Sequence, residues 1–197
     1  MKKMFIKMSA VFVSAISLSL ASCSESSAPE EASMSASTIE TESQPTPYSN
    51  EITLREIMSS LIDPHADALW NAVRVVADSN GITEYAPESE EDWNALRISA
   101  VSIIEGANAL MVPGRRIARP GAVGEFPEFE FTPEEVEEKL AADRQSWVQF
   151  SRGLQDAAFE LLEAVDSRNT DQLSEYGALL DEACEACHSV YWYRAGI

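Results

Sequence analysis

From Leu54 to Cys184 the apolar side chains recur at intervals of three and four, and no stretch alternates convincingly with the period of two that a strand needs. That spacing gathers each apolar run into a stripe on one side of a helix, so the chain is expected to be all-α. Four segments carry the pattern. In the first, Leu54, Ile57, Met58 and Leu61 are followed, beyond Asp63 and Pro64, by Leu69, Ala72, Val73 and Val76. Proline is welcome at the first position of a helical segment, which Asp63 could cap, so a kink or restart is expected there. The second stripe runs from Trp93 through Leu96, Ala100, Ile103, Ile104, Ala107 and Leu110 to Met111, where Pro113 and Gly114 stop it. Residues 112–131 carry three prolines and three glycines and read as a long connecting loop. Thr132, Pro133 and Glu135 then form a capping box ahead of a short helix to about Ala142, which leads into a longer stripe of Trp147, Phe150, Leu154, Ala158, Leu161 and Val165. Thr170 can cap the last segment, whose face is Leu173, Tyr176, Leu180, Ala183 and Cys184. The economical architecture is an antiparallel four-helix bundle with a long crossover between its second and third helices.

The last stripe runs into Cys184, Glu185, Ala186, Cys187 and His188, a C-x-x-C-H run. On a helix the two sulfurs stand at i and i+3 and the imidazole at i+4, so all three leave one face. The run reads as a site of covalent c-type haem attachment. The thiols would add across two vinyl groups as thioethers, and His188 would be the proximal iron ligand. Three rivals need no haem. A redox dithiol wants a βαβ setting, whereas the flanks here are helical. A structural zinc site wants four nitrogen or sulfur ligands, and beyond this run and Cys23 the chain offers only His65, so carboxylates would have to help. Two buried cysteines beside a chance histidine would explain the residues without a ligand, but the spacing and the export signal speak against coincidence.

Lys2, Lys3 and Lys7 precede an apolar run from Met8 to Leu20, the charge layout of a signal peptide and too short to span a bilayer comfortably. Leu20, Ala21, Ser22 and Cys23 resemble the lipobox of bacterial lipoproteins, in which the cysteine is lipidated and becomes the first mature residue. Residues 1–22 are therefore read as a lipoprotein signal peptide and Cys23 as the membrane anchor; ordinary secretory cleavage nearby is the alternative. Cysteine arithmetic agrees, since of three cysteines one goes to lipid and two to haem. Ser24, in place of aspartate, slightly favours the outer membrane in such lipoproteins. Residues 23–50, rich in Ser, Glu, Ala and Pro, read as a disordered tether that would reach about 30 Å. The folded domain is placed at 51–197.

The formal net charge is −19, and without the three signal-peptide lysines it becomes −22. A surface this acidic is a poor partner for nucleic acid or anionic lipid and a good one for a redox protein with a basic patch. Solubility alone accounts for many of those charges.

Haem attachment near the C-terminus of a four-helix chain resembles the class II cytochromes c, including the cytochromes c′. The similarity spans residues 51–197 and is most specific at Cys184, Cys187, His188 and Tyr191; Asp63 to Trp70, Asn108 to Arg115 and Tyr191 to Tyr193 also look alike. The family places an arginine soon after that tyrosine, whereas here Trp192 and Tyr193 intervene before Arg194. The resemblance implies haem c iron on the C-terminal helix of the bundle. In low-spin members a methionine of the first helix is the sixth ligand, and Met58 is the candidate, three positions after Arg55 where relatives have four. Its alternative is core packing. Met111 and His65 follow as candidates, His65 reading as a surface residue at the helix break.

Arg115, Arg116 and Arg119 are expected to pair with local glutamates rather than haem propionates. Trp70, Trp93 and Trp147 read as core. Tyr191, Trp192 and Tyr193 would cover the haem edge, unless they are simple C-terminal packing. The chain shows no acid, base or nucleophile constellation that would mark an enzyme. The expected function is single-electron transfer in the periplasm, with two alternatives: a high-spin protein that binds nitric oxide or carbon monoxide, and a helical-bundle lipoprotein that binds a partner without haem. A homodimer through the first two helices would fit the look-alike family.

Overall fold

Thr53 opens the first helix of the computed structural model, which describes residues 48–79 and 81–194. The signal segment, Cys23 and nearly all of the tether lie outside those residues. The Thr53 hydroxyl accepts from the Glu56 amide at 3.2 Å and the Glu56 carboxylate accepts from the Thr53 amide at 3.0 Å, which satisfies two orphan donors. Arg119 adds an ion pair at 2.6 Å, and together these hold the Glu56 carboxyl down at about 2, the Thr53 hydrogen bonds contributing most.

Helix α1, Leu54–Ile57, continues through a π-helical turn, Met58–Ile62, into α2, Asp63–Trp70. Pro64 supplies the reason. It has no amide for the Ser60 carbonyl, and in an α turn its ring would press on that carbonyl; a wider turn, closed by the Asp63 amide donating to Met58 O, gives it room. The expected break is therefore a widened turn. Asp63 is not its cap, which falls on Ile62 without a side-chain hydrogen bond.

Past Trp70 the helical expectation fails. Val76 lies in β1, Arg74–Asp78, which pairs antiparallel with β2, Gly81–Tyr85, from Arg74 opposite Tyr85 to Asp78 opposite Gly81. Branched Val75, Val76, Ile82 and Thr83 flank a tight turn in which Gly81 takes a φ of 128°, a conformation that a side chain would resist. Every residue of both strands is exposed, so the hairpin never shows the half-buried alternation by which strands are recognised.

The rest of the chain is mostly helical: α3, Glu90–Leu110; α4, Pro133–Ala142; α5, Arg144–Asp166; and α6, Thr170–Tyr191. Thr132 caps α4 as expected, its hydroxyl accepting from the Glu135 amide. Asn169, not Thr170, caps α6, its side-chain oxygen accepting from the Gln172 amide at 3.0 Å. Among the described residues no helix is long and apolar enough to cross a membrane.

The expected stripes are the buried faces. Ile103 of α3, Leu161 of α5 and Leu173 and Leu180 of α6 are fully enclosed, and each such side chain contributes roughly 1.5–3 kcal/mol by leaving water. Helix directions follow from cross-helix partners. At one end Arg97 and Arg168 pair with Asp166 and Glu90; at the other, Trp147 Nε1 donates to Leu110 O at 2.9 Å, so α3 and α5 run antiparallel. Trp147 meets Tyr191 ring to ring, which sets α6 antiparallel to α5. The loop after α3 returns to the same end, where the carbonyls of Arg116 and Ile117 accept from the Leu54 and Arg55 amides at 3.0 and 2.9 Å. That end therefore collects the start of α1, the end of α3, the start of α5 and the end of α6.

Gly106 is the tightest crossing. A Cβ there would come within 2.6 Å of Ile62 Cγ1, on the π-helical turn. Gly106→Ala is expected to lower stability by about 1 kcal/mol, overpacking of roughly 1–3 kcal/mol outweighing the ~1 kcal/mol that alanine gains in a helix. A denaturant midpoint at or above the parent's would show that the crossing is looser than this.

Candidate functional site

Cys184, Cys187 and His188 occupy the last two turns of α6. All three are half-buried and both thiols are free. Cys184 and Cys187 pack against the hydrophobic core, which pushes their thiols up to about 11 and about 12, burial being the main cause for each. Such thiols stay protonated near neutrality. A redox dithiol works through a thiolate favoured by its surroundings, so this environment argues against that rival. Burial also lowers the His188 pKa, against the opposing pull of Glu185 and Asp63, so the imidazole is neutral as a metal ligand must be. Its Nδ1 lies 3.9 Å from Glu185 Oε1, beyond hydrogen-bond reach, and no other described residue bonds to either ring nitrogen.

Asp63, exposed in the first turn of α2, adds the smallest of the charge effects on Cys184 and His188, after burial and the nearer carboxylates. Between α2 and α6, Trp70 Nε1 donates to Gly177 O at 2.9 Å, and the two helices enclose a cleft of about 210 Å³ that ends at Asp181, one turn before Cys184. Met58 heads the π-helical turn, half-buried against the core, and its carbonyl accepts from the Asp63 amide.

His65 is not a surface residue. It is half-buried, and because Ser99 Oγ donates to Ala95 O, the His65 Nδ1–H donates to Ser99 at 3.1 Å, which holds the ring against α3. Met111 caps the end of α3, half-buried, with its carbonyl taken by Arg144 at 2.5 Å. Of the arginines after it two find glutamates, Arg116 with Glu137 at 2.6 Å and Arg119 with the distant Glu56 of α1, while Arg115 donates instead to the carbonyls of Ala109 and Ile52.

The aromatic run past His188 divides. Tyr191 turns inward, buried edge-on against Trp147 at 5.0 Å and Phe150 at 6.0 Å, close enough to Cys187 for that thiol to act on its phenol. Trp192 and Tyr193 stay outside, stacked on each other at 5.3 Å and edge-on to the His188 ring at 4.7 and 6.0 Å. The chain after His188 is tied to the loop before α4: the Phe131 amide donates to Trp192 O at 2.8 Å and the Arg194 amide to Phe129 O at 2.9 Å. Arg194 also grips Glu135 through two nitrogens at 2.6 and 3.1 Å, so the glutamate that closes a helix cap holds the tail as well.

Among the described residues no group of three or more His, Cys, Asp and Glu side chains is placed to hold a bare metal ion. The donor set instead suits a group needing two sulfur tethers and one nitrogen: two partnerless thiols beside a neutral imidazole with open ring nitrogens, all half-buried. No protein-family model matches the chain, and neither the curated proteins nor the solved structures contain a match to it.

Proposed function

We propose that this chain is a class II c-type cytochrome, exported to the periplasm and held at a membrane by lipid on Cys23, that passes single electrons to a redox protein bearing a basic patch. The mostly helical core is read as the antiparallel four-helix bundle of that class. The observation that carries the reading is the shared, half-buried face of Cys184, Cys187 and His188, with free thiols and a neutral imidazole that no described residue hydrogen-bonds. A haem bound there supplies a one-electron iron couple.

The residues take separate tasks. Cys184 and Cys187 fix the group in position by thioether bonds. His188 gives a ring nitrogen to the metal. Tyr191, wedged against Trp147 and Phe150, braces the backbone that carries the ligand, while Trp192 shields the imidazole edge from water. Met58 is the candidate for the opposite side. Its packing against the core also favours the second reading, in which it never ligates and a small gas such as nitric oxide or carbon monoxide binds the open face.

The test begins with full-length protein made in a host that matures c-type cytochromes. Haem staining after denaturing electrophoresis is expected to be positive, because thioether-bound haem stays with the polypeptide; a colourless band of bare polypeptide mass rejects the proposal and leaves the haem-free binding lipoprotein. In the ferric spectrum a low-spin form with a methionine-to-iron charge-transfer band is expected, and Met58→Ala should convert it to high spin. A parent already high-spin, with a ferrous form that shifts under carbon monoxide, selects the gas-binding reading.

A further inference from the structure

Trp192 and Tyr193 are 41% and 40% exposed, and the loop bonded to them carries Phe126 and Phe129 at 55% and 43%. Four large aromatic side chains thus remain in water on two backbone segments joined by hydrogen bonds. Single exposed apolar residues need no explanation, but the stacked Trp192 and Tyr193 with Phe126 and Phe129 on the segment bonded to them expose enough aromatic surface to suit an interaction site. The surface is also preset. The Glu130 carboxylate is buried and accepts from the Phe126 amide at 3.3 Å, a Cβ at Gly124 would collide with that carboxylate, and Arg194 Nε donates to Glu130 O at 2.8 Å. Trp192 leads inward from it to the His188 ring.

The rim is acidic. Glu125 and Glu128 are exposed on the same loop and Glu185 is exposed on α6, and among the described residues no arginine or lysine pairs with any of them. The hairpin also exposes apolar residues, Val75 and Ile82, but among the described residues no hydrogen bond, ion pair or ring contact joins it to the C-x-x-C-H turn. A lipid surface suits the rim poorly, whereas a protein that rings an apolar contact with lysines and arginines suits both the rim and the net charge of −19. We propose that Phe126, Phe129, Trp192 and Tyr193, rimmed by Glu125, Glu128 and Glu185, form the docking face for a basic electron-transfer protein; this rests on the cytochrome reading above.

The test uses the haem-loaded full chain, reduced under carbon monoxide, with tris-phenanthroline chromium(III) as a cationic, aromatic, redox-inert paramagnetic probe of that chemistry. Line broadening of amide signals is expected to centre on residues 126–129 and 192–193. Glu125→Lys with Glu128→Lys should reduce it about fivefold at low salt, since two local charges change sign. Phe126→Ser with Phe129→Ser should reduce it to a similar extent at unchanged charge. Broadening spread evenly or centred on the hairpin overturns the proposal, as does an equal loss from Glu84→Lys with Glu88→Lys, which lie elsewhere. Tighter association of the face with neutral phosphatidylcholine vesicles than with the probe would assign it to lipid and also overturn it. The haem absorbance of the same sample separates these outcomes from failure of the cytochrome reading, in which no haem is present at all.

Discussion

Replacing both Cys184 and Cys187 by alanine is expected to yield a protein with no covalently bound pigment from a host that attaches haem to the parent. Among the described residues the two thiols have no disulfide or hydrogen-bond partner, and burial keeps both protonated. What they contribute to an unmodified chain is packing, and trimming each by one sulfur leaves the fully buried Leu173 and Leu180 in place. The variant should therefore fold and differ in mass from the mature parent by the haem as well as by the two substitutions. Each single alanine variant keeps one tether and should keep part of the stain. His188→Ala separates attachment from ligation: it retains both thioether positions, so the stain should survive while the ferrous spectrum loses its imidazole signature. Intact-mass spectrometry and haem staining read all four proteins, and a fully pigmented double variant would end the cytochrome proposal.

What was legible in advance divides along physical lines. Stripes that bury can be read, and Trp93, Leu96, Ala100, Ile103 and Leu161 all sit on the faces expected of them. The C-x-x-C-H face was legible because its three members are local, placed by one helix alone. The hairpin was not, since Val75 and Ile82 face solvent and carry no burial pattern; its only signal was a Ser–Asn–Gly turn between branched residues. The half-burial of His65 is masked in the sequence by Asp63 and Asp67, which flank it, although it stands three positions from buried Ile62 and four from buried Leu69, the spacing of one helical face. The partners that complete the site come from far along the chain: Trp147 to Tyr191, and Glu130 and Glu135 to Arg194. No local periodicity encodes such pairs. Glu135 shows the difficulty most clearly, because its role in the helix cap already accounted for it.

Trp147→Ala is expected to be the most destabilising single truncation at the site, costing about 3–5 kcal/mol. The indole is buried at the end where the start of α5 meets the ends of α3 and α6. Its ring fills the space beneath Tyr191, and its Nε1–H occupies Leu110 O, one of the last-turn carbonyls that α3 cannot satisfy internally. Removing it opens a cavity and strands that acceptor together. Against a domain stability of about 5–15 kcal/mol, that loss is large enough to bring the denaturation midpoint of the haem-free variant far down. Trp147→Phe divides the two effects: it keeps an aromatic edge for Tyr191 but loses the donor, and should cost about 1–3 kcal/mol, the range for a buried acceptor left unpaired. Chemical denaturation followed by circular dichroism gives both numbers. The consequence for the site is directional. With Trp147 gone, Tyr191 loses the wall it leans on, and the turn carrying Cys187 and His188 gains freedom before any group is attached to it. Alanine should therefore lower the yield of pigmented protein as well as the midpoint, whereas Phe lowers the midpoint and spares the yield. Equal yields from both variants would mean that Tyr191 is braced well enough by Phe150 alone.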